Sequence, residues 1–459
     1  MAEYDLTPVA VPAVETKYRT IRTALPVPES LPIFEQLRKS EPRSMQGQPP
    51  IIWHSAENST VCDPYGNRWI DWSSGVLITN IGHGHPAIKA ALREMIDQGL
   101  LATYVFPHAK RAELSAMLQS IAPNPANYRV FLLSSGSEAT ENCVKLSKTY
   151  ALKKYGPQKK YFVGFGNAFH GRTMGSQLAG GSEAGKSWII DRDKTFITVP
   201  FPDGYRNPDT LFDLFLSTLK ELGVKPEDIA GVMSESYQGG GPNFFPVEYA
   251  QQLEKFCRQY DIVLTMDEVQ AGFGRTGKLF TFQHYGITPD LIACGKGISS
   301  SLPISAVIGR EDIMGLYAPG SMTSTHSGSP LPVVSAIANL KVLLGEKLSE
   351  RAAELGDGIM QPELARIQAK YPDRLGVKLG KGMVAGILVV HPGTKDPDTE
   401  TALKINLECL YRGLLMFAPV GAGDCLKVAP PLSIPEDALR ESLQVFEEAV
   451  DAVLAPVAV

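Results

Sequence analysis

Two apolar runs between Asp261 and Lys296 each end in a residue that can do chemistry. Ile262-Val263-Leu264 reads as a short buried strand that delivers Asp267, and Leu291-Ile292-Ala293 as a second that delivers Lys296. In an open α/β sheet the rim at the strand ends is where ligands bind, so an acid and an amine arriving there together suit a cofactor. A buried carboxylate can keep a pyridine nitrogen protonated while a lysine bonds an aldehyde carbon, which is how pyridoxal 5'-phosphate is held. A lysine after a strand can equally be a solvated surface charge. Gly295 and Gly297, which strengthen neither helix nor strand, instead suit a close approach of backbone to ligand.

Other stretches could complete such a site. Leu132 to Glu141 reads as a strand passing through a Ser/Gly turn into a helix, whose first N–H groups and positive dipole end form a phosphate cradle at Gly136 and Ser137. An ordinary serine-capped helix, with Ser135 and Glu138 as a capping box, explains the same residues. Phe169-His170-Gly171-Arg172-Thr173 offers an aromatic ring that could lie flat on one face of a cofactor, with Val269 on the other. Gly82-His83-Gly84-His85-Pro86 carries two histidines separated by one residue, without an acidic neighbour, and reads as a turn rather than a metal site.

The order of these motifs resembles the class III aminotransferase family. The resemblance rests on Asp267-Glu268-Val269-Gln270, Gly272-Phe273-Gly274-Arg275-Thr276-Gly277, Gly295-Lys296-Gly297, Gly136-Ser137-Glu138-Ala139 and the Gly-His-x-His-Pro run, and it covers about Ile51 to Leu454. It implies the pyridoxal-phosphate transferase fold of type I and an enzyme that moves an amino group from an amine or ω-amino acid to a keto acid or aldehyde. A racemase, epimerase or aminomutase on the same scaffold remains the alternative. Lys296 would form the Schiff base, Asp267 would face the ring nitrogen, and Gly136 and Ser137 would hold the phosphate. Phe169 and Val269 would flank the ring, and Gln270 would meet its hydroxyl oxygen. Thr325, in Thr325-His326-Ser327-Gly328-Ser329-Pro330, would reach the phosphate of a neighbouring subunit, which implies a homodimer or higher even oligomer with shared active sites.

Two departures from the family pattern bear on substrate. In Glu235-Ser236-Tyr237-Gln238-Gly239-Gly240-Gly241 a serine and a glycine replace a usual proline and a second glutamate. Lys427 stands where many members carry an arginine that grips a carboxylate. A guanidinium fork offers paired parallel hydrogen bonds, whereas an ammonium is a point charge on a flexible stem. The expected donors therefore lack an α-carboxylate or carry the carboxylate farther along the chain.

The elements that must position these residues follow from periodicity. Val130 to Leu133, Tyr161 to Val163, Ile229 to Met233, Ile262 to Leu264, Leu291 to Ala293 and Ile304 to Ile308 alternate with helical patterns such as Pro246 to Tyr260. This predicts a mostly parallel sheet covered by helices, followed by a smaller α+β domain ending in an amphipathic helix from Pro435 to Leu454. The expected division is an arm and part of the small domain over 1–80, a large cofactor domain over 81–330 and a small domain over 331–459. The proline-rich first 50 residues read as an arm that would not fold alone.

At 459 residues with a net charge of −5 and no basic patch, the chain offers nothing that suits nucleic acid. Its six cysteines lack metal spacing, which fits a reducing, cytoplasmic setting, and neither a secretory leader nor a membrane span is expected.

Overall fold

A computed structural model describes residues 4–455. Contacts divide the chain into two compact units, one formed by Met1–His85 with Glu350–Val459 and the other by Pro86–Ser349.

In the unit Pro86–Ser349 the sheet has seven strands. From one edge to the other they are Tyr128–Leu133, Ser305–Arg310, Leu291–Cys294, Val263–Asp267, Ile229–Glu235, Tyr161–Phe165 and Phe196–Val199. Pairing is parallel except at Ser305–Arg310, which runs antiparallel to both of its neighbours. Every residue of Val263–Asp267, Leu291–Cys294 and Ile229–Glu235 is buried, which explains their nearly continuous apolar composition. The edge strand Phe196–Val199 has no counterpart in the sequence reading. Its run is only four residues and is half-buried over the first three, so its apolar signal is weak.

Helix Gly136–Tyr155 packs its buried face, including Cys143, Leu146 and Tyr150, into a core shared with Met233, Val263 and Leu291. Helix Val247–Gln259 buries Tyr249, Leu253 and Phe256, the stripe that its spacing predicted. Helix Pro330–Gly345 is buried along most of its length, with Ser335 and Asn339 as fully buried polar residues.

The other unit carries a six-stranded sheet and the antiparallel sheet Leu375–Lys381, Val384–Val389, Cys425–Val428. Thr60–Cys62 and Arg68–Asp71 pair antiparallel across the Asp63–Asn67 turn. The N-terminal residues do more than lie as an arm: Thr20–Ile21 pairs with Arg68–Asp71, and Ile21, Leu25 and Val27 join a core with Trp69 and Leu410. His83 Nε2 lies 2.7 Å from Asp71 Oδ2, with the pair almost completely buried, so the acidic partner that the sequence did not offer nearby comes from the end of strand Arg68–Asp71, 12 positions away. The C-terminal helix spans Glu436–Leu454. Among the described residues no helix is long and apolar enough to cross a membrane.

Candidate active site

Asp267 is the last residue of its strand, and register places it beside Glu235 on one side and Ala293 on the other. Lys296 follows three residues after Ala293, at the start of the short turn Lys296–Ile298. Parallel pairing thus brings Asp267, Glu235 and the lysine turn to the same rim of the sheet. Lys296 has φ 44°, a left-handed conformation that a side-chain-bearing residue rarely adopts and that concentrates at functional sites. Burial lowers the pKa of its amine, while the charges of Asp267 and Glu235 resist that shift. The result is an amine poised toward its neutral, nucleophilic form.

Asp267 is 4% exposed. Its Oδ1 accepts from Val269 N at 2.9 Å, and its Oδ2 lies 2.7 Å from His170 Nδ1. Each carboxylate oxygen retains capacity for another donor, as a protonated ring nitrogen would require. Burial opposes charging of His170, but the hydrogen bond and charge of Asp267, together with the charge of Glu235, raise its pKa. His170 was not singled out among Phe169 to Thr173 in the sequence. Its role depends on a contact across 97 positions that no local pattern encodes.

Glu235 and Glu268 were also passed over. Burial pushes each pKa up to about 7. Glu235 accepts from Phe169 N and Gly239 N, both at 2.9 Å, and so fastens the Phe169 loop to the end of a central strand. Glu268 accepts from Ser236 Oγ at 2.5 Å and from Thr281 N and Phe282 N, closing the Gly272–Gly277 loop upon itself. Ser236, a departure from the family pattern, is therefore a hydrogen-bond donor to the residue next to Asp267.

The start of helix Gly136–Tyr155 carries the capping box: Ser135 Oγ accepts from Glu138 N, and Glu138 accepts from Ser135 N. Both sequence readings of this turn coexist, because the cap leaves Gly136 and Ser137 at the helix mouth. A Cβ on Gly136 would lie 2.8 Å from Val269 Cγ1, and one on Gly171 would lie 2.2 Å from Ser137 Oγ. These approaches bring the glycine turn, the Val269 side chain and the loop after Phe169 together. Phe169 itself is exposed, with the Arg172 guanidinium 5.5 Å from the centre of its ring.

Thr325 is exposed in the segment before helix Pro330–Gly345, and its neighbour Ser324 donates to Glu138 Oε1 at 3.1 Å. Gln270 lies near Gly239, where a Cβ would meet its amide at 3.1 Å. Lys427 belongs to the other unit, on the strand Cys425–Val428, and is 1% exposed. Thus Asp267, Glu235, His170, Phe169, Gly136, Ser137 and Val269 form one connected set, and Lys296 joins its rim.

Residues 43–450 match the aminotransferase class-III family. The chain belongs to that family. It is 30% identical over 440 residues to the 4-aminobutyrate aminotransferase of Mycobacterium leprae, covering 93% of this chain and 97% of that protein. It is 33% identical over 418 residues to an isoleucine 2-epimerase of Lentilactobacillus buchneri, covering 88% and 90%. The ornithine aminotransferase of Toxoplasma gondii superposes with a TM-score of 0.83 at 25% identity, covering 94% of this chain and 96% of that one. The protein is a transaminase of the type I fold, and class III aminotransferases use pyridoxal 5'-phosphate. The residues present fit that cofactor: a glycine mouth that a side chain would fill, a helix N-terminus for the phosphate, a buried carboxylate with spare acceptor capacity and a desolvated lysine.

Proposed function

We propose that Lys296 Nζ carries the cofactor and moves the proton during amino transfer, while Asp267, paired with His170, holds the cofactor's ring nitrogen protonated. One observation carries this reading. The desolvated Lys296 amine and the Asp267–His170 pair stand at the ends of neighbouring parallel strands. Bound pyridoxal 5'-phosphate supplies an aldehyde carbon for the amine and an electron-accepting ring. With its amine free, Lys296 Nζ would take the proton from the donor's amine-bearing carbon as a general base and, as an acid, deliver it to the cofactor carbon that had been the aldehyde. Gly136 and Ser137 hold the phosphate, Phe169 and Val269 flank the ring, and Gln270 meets its hydroxyl oxygen.

The donor is an amine or an ω-amino acid and the acceptor a keto acid or aldehyde. Arg172 supports this donor class: it is exposed beside Phe169 with no carboxylate partner among the described residues, so it can meet a carboxylate at the far end of a donor. Lys427, in place of a carboxylate-gripping arginine, disfavours α-amino acids by the sequence argument. In a screen of donors, Arg172→Met is expected to lower kcat/KM about tenfold or more for ω-amino acids and to leave uncharged amines within about twofold. Lys427→Arg should raise use of α-amino acids relative to those amines. Equal ratios in parent and variants would remove both residues from the specificity argument. The same screen addresses the epimerase reading suggested by the Lentilactobacillus relative: a single enantiomer incubated without an acceptor should keep its configuration.

The working form is a cytoplasmic homodimer or higher even oligomer in which Thr325 serves the partner's phosphate. Thr325 is exposed, and Tyr104 Oη bonds Thr323 Oγ1 at 3.2 Å, tying this loop to a segment that exposes Leu101, Val105 and Phe106. Exposed apolar side chains of that kind support an interface there. Light scattering should give at least twice the chain mass of 49.8 kDa, and a fully active monomer would refute the shared site.

A further inference from the structure

Helix Pro330–Gly345 is almost wholly apolar where it is buried, yet two of its fully buried residues, one helical turn apart, are Ser335 and Asn339. Both face the turn that carries Lys296. Asn339 Nδ2 donates to Gly297 O and to Ile298 O, each at 2.9 Å, and Ser335 Oγ donates to Ser299 O at 3.2 Å and also meets Ser301 Oγ. Three successive carbonyl groups after Lys296 are thereby held by one helix. The amide orientation is forced, because two carbonyl oxygens can only accept and the nitrogen must face them. Asn339 Oδ1 is buried without a partner. Leaving an acceptor orphaned carries a desolvation cost that an apolar side chain at this position would avoid.

That arrangement has a local reason. Lys296 is left-handed at φ 44° and Ser300 at φ 53°, so the segment is bent away from the conformations its residues prefer. Such strain persists only where the surroundings over-determine it. The Asn339 amide and the Ser335 hydroxyl do so from outside the segment.

We propose that Asn339, assisted by Ser335, is a positioning residue for Lys296: it clamps the carbonyl groups of Gly297 and Ile298 so that the strained turn keeps Nζ aimed at the reacting carbon. The inference rests on the reading of Lys296 given above. The clamp leaves the lysine side chain free to swing while fixing the backbone from which it swings. Its loss should therefore act on the chemical step and on covalent cofactor uptake rather than on donor binding.

The test uses the full chain as apoprotein, wild type beside Asn339→Ala, Asn339→Leu, Ser335→Ala and Lys296→Ala. Each is mixed with pyridoxal 5'-phosphate and reduced with borohydride at set times, and peptide mass reports the cofactor fixed on residue 296. Steady-state kinetics are measured on the loaded proteins. In the Asn339 variants, uptake and kcat are expected to fall about 10- to 100-fold while donor KM stays within about twofold, since small misplacements of a reacting group carry penalties of that size. Ser335→Ala, which releases one of the three carbonyl groups where the Asn339 variants release two, should slow uptake by about threefold. Uptake and kcat within about twofold of wild type in a folded Asn339→Ala protein would overturn the clamp. If neither Asn339 variant folds, Ser335→Ala decides, and wild-type uptake in it overturns the proposal. A wild-type adduct on another lysine, or undiminished fixation in Lys296→Ala, would instead sink the reading of Lys296 and the inference with it.

Discussion

Lys296→Ala is expected to reduce turnover by about 10⁴-fold or more, because it removes both the covalent anchor and the group that shuttles the proton. The fold should survive. The amine is desolvated, its pKa lies below the ordinary lysine value, and a buried charge destabilises the chain that carries it. The sign follows from proton counts: with a lowered folded pKa, the unfolded chain binds more protons between that pKa and about 10.4, so stability rises with pH across this window. The apoprotein of Lys296→Ala lacks this slope and should melt at the same temperature as wild type or higher at neutral pH. Alanine inherits the left-handed backbone at this position, so it relieves the charge and not the strain. Thermal melts of the two apoproteins at neutral and at alkaline pH, together with initial rates, check both halves. Turnover close to that of wild type would remove Lys296 from the chemistry.

What the sequence disclosed and what it concealed differ in range. The strands that lead to Asp267 and Lys296 were legible because each is a nearly continuous apolar run, and such runs, buried on both faces, announce strands of a parallel sheet. The turn before helix Gly136–Tyr155 was legible because a capping box spans only four residues. His170, Glu235 and Asn339 were not, since each has a partner from 41 to 97 positions away, brought near by sheet register and helix packing. The strand Phe196–Val199 was missed because an edge strand with a half-buried face needs less apolar composition than a central one. The N-terminal segment, rich in proline, has too little apolar surface to fold by itself, yet Ile21, Leu25 and Val27 join a core supplied by Val61 and Trp69 and by Leu410 and Leu415 far later in the chain.

Removal of Asp267 should have the next largest effect. Asp267→Ala is expected to lower kcat by about 10³-fold and to weaken cofactor retention, since deleting a preorganised electrostatic partner of developing charge typically costs 10²- to 10³-fold by itself. The variant also strips His170 of its carboxylate. Burial then pulls the pKa of that imidazole down, opposed by the charge of Glu235 without the help of Asp267, and neither ring nitrogen keeps a carboxylate partner. Asp267→Asn separates charge from shape: the amide oxygen can still accept from Val269 N, but no carboxylate remains to keep a ring nitrogen protonated. Turnover should therefore fall in the asparagine variant nearly as far as in the alanine variant, while cofactor retention, measured by dialysis, is lost mainly in the latter. Equal retention and a wild-type rate in Asp267→Asn would show that hydrogen bonding without charge suffices, and the Asp267–His170 pair would then be a structural brace for the strand end.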